Sequence, residues 1–335
     1  MQGKMFCFQC EQTFGGKGCT KVGVCGKTPE IAAMQDLLIY QLKGISCYAT
    51  KLLAKGEKLD KSWVSFVENS LFMTLTNVNF DPKSHMDMLK KSQLIKEEVR
   101  KKAIGEHVTS EEALYNLSDT KEQIFEDAKK AGVMYDENLD ADIRSVRETI
   151  KYGLKGIAAY AHQARFIKYS SDDVDDFYFI ALAVLTDDSL NLQDLIKYLI
   201  KTGETSVKVM EVLDKGNNEM YTSPTPTKVN VNIKKGPFIV ISGHELRDLE
   251  MLLEQTEGKG INIYTHGEML PSHGYPKLNK YKHLVGNFGG AWQNQQKEFD
   301  GIPGCILMTT NCLMKPRDSY KDRIFSTSVV GWDGI

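Results

Sequence analysis

The chain has 335 residues, 42 Lys and Arg against 44 Asp and Glu for a net charge of −2, and 41% hydrophobic residues. At roughly 100–200 residues per domain this length predicts about two domains, each able to bury a core. Near-neutral charge excludes the basic face of a nucleic-acid protein, which normally lifts the pI above about 9. The longest strongly apolar run, Phe177–Leu185, is far below the roughly 20 residues that span a bilayer. Met1–Cys7 holds no apolar stretch before a cleavage site, so a cytoplasmic protein without a secretion leader is expected.

The chain opens on cysteine. Of seven cysteines, Cys7, Cys10, Cys19 and Cys25 crowd into the first 25 residues, with Gly15, Gly16, Gly18, Gly23 and Gly26 between them. In a reducing compartment such a cluster reads as metal binding before disulfides. Four soft thiolates suit an iron–sulfur cluster or zinc. Structural zinc more often uses two Cys-x-x-Cys knuckles, and only Cys7 and Cys10 have that spacing, so the iron–sulfur reading leads. The glycines are expected to fold the loop around an inorganic core and aim N–H groups at its sulfurs.

From Thr28 to about Val212 the pattern is helical. Thr28 as N-cap, Pro29 and Glu30 open the first helix. Met34, Leu37, Leu38, Leu42, Ile45, Ala49 and Leu52 recur at spacings of three and four, and Gly56 ends it. Further helices are predicted at Lys61–Asn79, Ser84–Ile104, Ser118–Gly132, Asp140–Ser170, Asp173–Leu185 and Ser189–Lys215. Gly153 and Gly156 weaken the fourth of these and could split it. Cys47 falls on the apolar stripe of the first helix and reads as a core thiol. Lys96–Lys102 reads as a solvated face, and His85, His107 and His162 as surface or satisfied groups.

Tyr221-Thr-Ser-Pro-Thr-Pro-Thr-Lys cannot continue a helix and marks a domain boundary. Short β-rich runs follow at Phe238–Ser242, Ile261–Tyr264, His283–Asn287, Ile306–Thr309 and Arg323–Val330, with a helix at Leu246–Gln255. Strands alternating with crossovers predict a parallel sheet. The expected architecture is multidomain α and α/β: a helical bundle over residues 1–222 and a Rossmann-like parallel-sheet domain over 223–335. Gly-x-Gly-x-x-Gly is absent, so no dinucleotide site is expected.

Ligands of open α/β sheets bind beyond the carboxyl ends of the strands. His244 follows the first strand, His266 and Glu268 the second, and Cys312 the fourth. Mixed nitrogen, oxygen and sulfur donors on one rim suit a transition metal. His266 and His273 flank Glu268 and are candidates for supporting or substrate contacts. Cys305 reads as a core thiol, and Trp292 as core packing.

Longer stretches then resemble a known family. Met5-Phe-Cys-Phe-Gln-Cys-Glu-Gln-Thr, Gly-Val-Cys25-Gly-Lys-Thr-Pro-Glu, Ile241-Ser-Gly-His-Glu-Leu-Arg-Asp-Leu-Glu and Tyr264-Thr-His-Gly-Glu-Met-Leu-Pro-Ser-His-Gly-Tyr-Pro are similar to the hybrid-cluster (prismane) proteins, the hydroxylamine reductases. So are Gly286-Asn-Phe-Gly-Gly-Ala-Trp-Gln-Asn-Gln and Thr309-Thr-Asn-Cys-Leu-Met-Lys-Pro. The resemblance implies that Cys7, Cys10, Cys19 and Cys25 bind a [4Fe-4S] cluster. It implies that His244, Glu268 and Cys312 are three ligands of a hybrid [4Fe-2O-2S] cluster. Electrons from a donor protein would reach hydroxylamine or a related N–O species, with protons from Glu268 or His266. Relatives continue into a third domain carrying three more cysteines and a glutamate, so the resemblance implies a truncated chain with an incomplete hybrid-cluster ligand set. A non-catalytic iron–sulfur carrier or scaffold is the alternative expectation, and a zinc-stabilised structural protein a weaker one.

Overall fold

The computed structural model describes residues 5–136, 138–310 and 312–335. Met1–Lys4, part of the leader reading, and Asn311 on the rim lie outside the described residues. The chain forms two compact units. The first comprises Met1–Leu75, Asp81–His162 and Ser170–Val212; the second comprises Thr76–Phe80, Gln163–Tyr169 and Leu213–Ile335. Among the described residues, no helix is long and apolar enough to cross a membrane.

The first unit is helix packed on helix. It holds α1 (Pro29–Ala54), α2 (Lys61–Met73), α3 (Pro82–Lys102), α4 (Glu111–Leu114), α5 (Lys121–Ala128), α7 (Asp172–Val184) and most of α6 (Ala141–Phe166) and α8 (Leu192–Tyr221). Thr28 caps α1 as expected, its hydroxyl accepting from Ile31 N at 3.2 Å. Helix α1 packs against α3, α4, α5 and α7 and buries Met34, Leu37, Leu38, Leu42 and Ile45. A helix apolar on so many sides belongs in the middle of a bundle.

Three expectations change here. Helix α6 is single, because Gly153 serves packing: a Cβ there would lie 2.5 Å from Thr202 Cγ2 of α8. Helix α2 stops at Met73, where the Thr74 hydroxyl turns back to Leu71 O at 2.8 Å and Asn77 takes a φ of 61°. Lys96 is not solvated. It is buried, and its ammonium donates to Gln41 Oε1 at 2.6 Å, to Glu112 O at 3.4 Å and to Tyr115 O. One member of the charge run thus satisfies carbonyls at the end of α4.

Cys47 is buried, receives Ser110 Oγ at 3.2 Å and meets Thr186 Oγ1 at 3.4 Å. Cys47→Ala is expected to cost about 1–2 kcal/mol, measured by denaturant unfolding, with metal content unchanged. Loss of metal in that variant would contradict the core reading.

His85 is also buried, its Nδ1 2.8 Å from Asp81 O and its Nε2 3.2 Å from Gln35 Nε2. Burial, with Lys27 adding, holds its pKa down at about 4 against Asp81. The unfolded chain then takes up a proton near pH 6.5 that the folded chain refuses. Stability is full above that pH and falls by roughly 3 kcal/mol as pH drops toward 4. Unfolding midpoints at pH 7 and pH 4.5 should diverge less in His85→Gln; an equal divergence would refute the assignment.

The second unit is built on a five-stranded parallel sheet of β2 (Phe238–Ser242), β3 (Asn262–His266), β4 (Leu284–Phe288), β5 (Cys305–Met308) and β6 (Ile324–Ser326), in spatial order β4-β3-β2-β5-β6. A parallel pair, β1 (Asn79–Phe80) with β7 (Gly331–Trp332), lies outside it. Strand β2 falls where predicted, and the others shift by one or two residues. The last is cut to three because Ser328 takes a φ of 57°. Helix α9 (Leu246–Thr256) and the short α10 (Pro276–Asn279) cover the core formed by Tyr221, Ile241, Leu249, Leu253, Ile263 and Leu284. Cys305 is exposed at the first position of β5 rather than in the core.

The chain leaves β2 toward β3 on one side and later returns to β5 on the other. That reversal opens a crevice at the carboxyl ends of β2 and β5.

Candidate functional site

The cysteine loop of the first unit is closed by a short antiparallel bridge. Cys7 N–H donates to Cys19 O at 3.1 Å, and Cys19 N–H to Cys7 O at 2.8 Å. The Thr13 hydroxyl donates to Cys7 O at 3.0 Å, and Phe14 N–H points at Cys19 Sγ, 3.4 Å away. The buried Lys27 reaches within 4.0 Å of Cys7 Sγ.

Burial pushes the Cys10 thiol up; the Gln12 N–H opposes this, and Cys25, Cys7 and Cys19 add to it. Cys25 is raised by burial as well, against the Lys27 N–H and ammonium. At Cys19 burial also acts upward, but N–H groups of Phe14 and Val24, the Thr13 hydroxyl and Lys27 outweigh it, and its pKa falls. Cys10 thus feels the charge of Cys7, Cys19 and Cys25, and Cys25 that of Cys7. Their mutual repulsion as thiolates is what a cationic iron core would relieve, so the donor set fits an iron–sulfur group.

The glycines do less than expected. Gly16, Gly18, Gly23 and Gly26 donate to backbone carbonyls, while amides aimed at the cysteine sulfurs include those of Gln12, Phe14, Val24 and Lys27.

On the sheet rim of the second unit, His244 follows β2, Glu268 follows β3 and Cys312 follows β5. His244 Nε2 bonds Glu268 Oε2 directly. Its Nδ1 lies 3.0 Å from Thr310 Oγ1, which also accepts His244 N–H at 2.8 Å. Thr310 thereby fixes the ring and directs Nε2 to Glu268. Cys312 sits at a φ of 67°, and its carbonyl accepts from Gln295 Nε2 on α11 (Gln295–Glu298). Burial, with the Glu268 charge adding, pushes the Cys312 thiol up to about 12. A thiol held beside a carboxylate ionises only if positive charge arrives, so this donor set also fits a metal group.

His266 is placed behind the rim. It is fully buried, with Nδ1 2.9 Å from Ser242 Oγ, Nε2 3.0 Å from Glu298 Oε2 and its ring 4.7 Å from that of Phe299. Burial lowers its pKa against the pull of Glu298. His273 is buried too, bonded to Thr265 Oγ1 at 2.9 Å. Trp292 is half-buried rather than core. Among the described residues, no three His, Cys, Asp or Glu side chains are gathered as one bound ion requires.

Sequence reasoning missed Thr310, Gln295, Glu298 and Ser242. Thr310, Gln295 and Ser242 lie inside the stretches that carry the family resemblance, which was the one available signal.

The sequence matches the Prismane/CO dehydrogenase family over residues 5–335. The hydroxylamine reductase of Thermoanaerobacter pseudethanolicus is 48% identical, covering 99% of this chain and 60% of its own length. That of Syntrophobacter fumaroxidans is 46% identical, covering 99% and 62%. Carbon monoxide dehydrogenase IV from Carboxydothermus hydrogenoformans superposes with a TM-score of 0.33 at 16% identity, over 98% of this chain and 50% of that one. The chain spans about three fifths of the length of the curated relatives it matches. With a match that runs from Met5 to Ile335 and relatives nearly half identical across it, the chain belongs to the prismane/CO dehydrogenase family.

Proposed function

We propose that this chain is the iron–sulfur portion of a cytoplasmic oxidoreductase of hydroxylamine-reductase type. Its own work would be to bind clusters and to present an N–O substrate to them. The convergence of Cys7, Cys10, Cys19 and Cys25 carries this reading. Structural zinc more often uses two Cys-x-x-Cys knuckles, and only Cys7 and Cys10 have that spacing, whereas four thiolates suit a [4Fe-4S] core.

At the rim, His244, Glu268 and Cys312 would hold part of a hybrid [4Fe-2O-2S] cluster. The bound clusters would supply the electrons for reducing hydroxylamine to ammonia and water, drawn from an electron-donor protein. Thr310 orients His244, and Gln295 anchors the Cys312 backbone. Glu268, exposed on the rim, can hold and release a proton toward a substrate there, and His266 can hold one between Ser242 and Glu298.

A non-catalytic carrier is the second reading. It is favoured by Cys7, Cys10, Cys19 and Cys25 all lying on one loop, bridged between Cys7 and Cys19, which can hold a cluster without the rim.

Iron and acid-labile sulfide, measured on the anaerobically reconstituted chain, test both readings. About eight irons with turnover of hydroxylamine by a reduced viologen support the enzyme, about four without turnover support the carrier, and zinc alone overturns both.

A further inference from the structure

Two residues of one α6 stripe, Tyr152 and Lys155, meet the cysteine loop. Glu148, Lys151, Tyr152 and Lys155 fall at i, i+3, i+4 and i+7, a single helix face. The Tyr152 ring meets Phe8 edge-on with centroids 5.9 Å apart. Lys155 Nζ donates to Gln9 Oε1 at 3.0 Å and to Thr74 O at 3.1 Å. Phe8 and Gln9 are the two residues between Cys7 and Cys10, so the helix grips the loop at its first pair of thiols. Lys27 approaches Cys7 from the other end of the loop.

All three lysines are buried, with 4% of Lys27, 7% of Lys151 and 5% of Lys155 exposed. Two carboxylates face them: Glu148, 2.5 Å from Lys151 Nζ, and Asp36 on α1. Lysine is almost never fully buried without matching negative charge, and here the cations outnumber the carboxylates. The surplus shows in the titration of Lys155 and Asp36. Burial, then repulsion from Lys27 and Lys151, brings Lys155 down to about 7, while Asp36 and Cys7 pull it up. Asp36 is raised to about 6 by burial despite all three lysines, with Glu148 adding.

We propose that Lys155, with Lys151 and Lys27 beside it, is the built-in counter-charge of the cysteine-bound cluster and sets its reduction potential from outside the ligand set. This rests on the cluster reading above. A four-thiolate cluster is an anion that gains a further negative charge on reduction, so a nearby ammonium stabilises the reduced form more than the oxidised one. Lys155 therefore raises the potential, and Asp36, of opposite sign, lowers it.

The test is a redox titration of the anaerobically reconstituted 335-residue chain at pH 7, followed by EPR at matched iron content. Lys155→Met is expected to lower the midpoint, Lys155→Arg to restore it, and Asp36→Asn to raise it. A Lys155→Met protein that keeps its cluster and the wild-type midpoint overturns the proposal. If Lys155→Met does not fold, Asp36→Asn decides: a raised midpoint supports the counter-charge, and an unchanged one overturns it. A wild-type chain that takes up no iron overturns the cluster reading itself, and this inference with it, before any potential is measured.

Discussion

Cys10→Ser is expected to abolish the visible absorption of the cysteine-bound cluster and to remove the iron bound by the first unit. Cys10 is the thiol that feels the charge of all three other loop cysteines, so it belongs to any core they share. Serine keeps the size but offers a harder, far less acidic donor, and soft iron–sulfur cores select against it. The loop itself should survive. Its bridge runs between the backbones of Cys7 and Cys19, and Thr13 closes it onto Cys7 O. Circular dichroism should therefore match the parent while iron and absorption disappear. If both persist in a folded Cys10→Ser chain, Cys10 is not a ligand and the four-thiolate reading fails. Cys47→Ala is the matched control, since its thiol is held by Ser110 and Thr186.

The cysteine loop was legible because its chemistry is local: four thiols within nineteen residues need no tertiary knowledge to be grouped. The first helix was legible for the same reason, since Thr28, Pro29 and a stripe of large aliphatics state its start and its buried face within one segment. Lys96 was not legible. Its burial depends on Gln41, 55 residues earlier, and on the carbonyls of Glu112 and Tyr115, while the charged residues that follow it, Glu97, Glu98 and Arg100, are exposed. Gly153 misled in the opposite direction. Glycine weakens an isolated helix, but here its missing side chain admits Thr202 of α8, and packing outweighs propensity.

The rim divides along the same line. The rule that ligands gather beyond parallel strands was enough to single out His244, Glu268 and Cys312, because each follows a strand that could be read from its own residues. The residues that hold them could not be read so. Thr310 lies 66 positions from His244, and the two meet only because β5 pairs with β2 in register, Met308 beside Ser242. His266 stands two residues from Glu268 and reads as its companion. Strand alternation and the partnership with Glu298 instead take it into the interior.

Gly243→Ala should do the greatest damage to that rim. Gly243 carries the chain out of β2 at a φ of 124°, a conformation L side chains rarely adopt. A Cβ there would lie 2.4 Å from Thr309 Oγ1, 2.7 Å from Thr310 Oγ1 and 2.8 Å from Thr310 N. The two hydroxyls could rotate aside, though Thr310 would then release His244. The Thr310 amide cannot move without pulling on β5. Backbone strain and overlap together should cost on the order of 3 kcal/mol or more, with His244 displaced from Glu268. Gly258→Ala supplies the comparison, because its φ of 72° is also left-handed but nothing lies within 4 Å of its would-be Cβ. That variant should lose only about 1–2 kcal/mol of backbone preference. Unfolding midpoints of the two variants should therefore differ clearly, with Gly243→Ala the lower, and only Gly243→Ala should lose iron beyond that held by the cysteine loop. Equal midpoints would show that β5 yields to the methyl group, and the rim would then be a pliable surface rather than a preformed set of ligands.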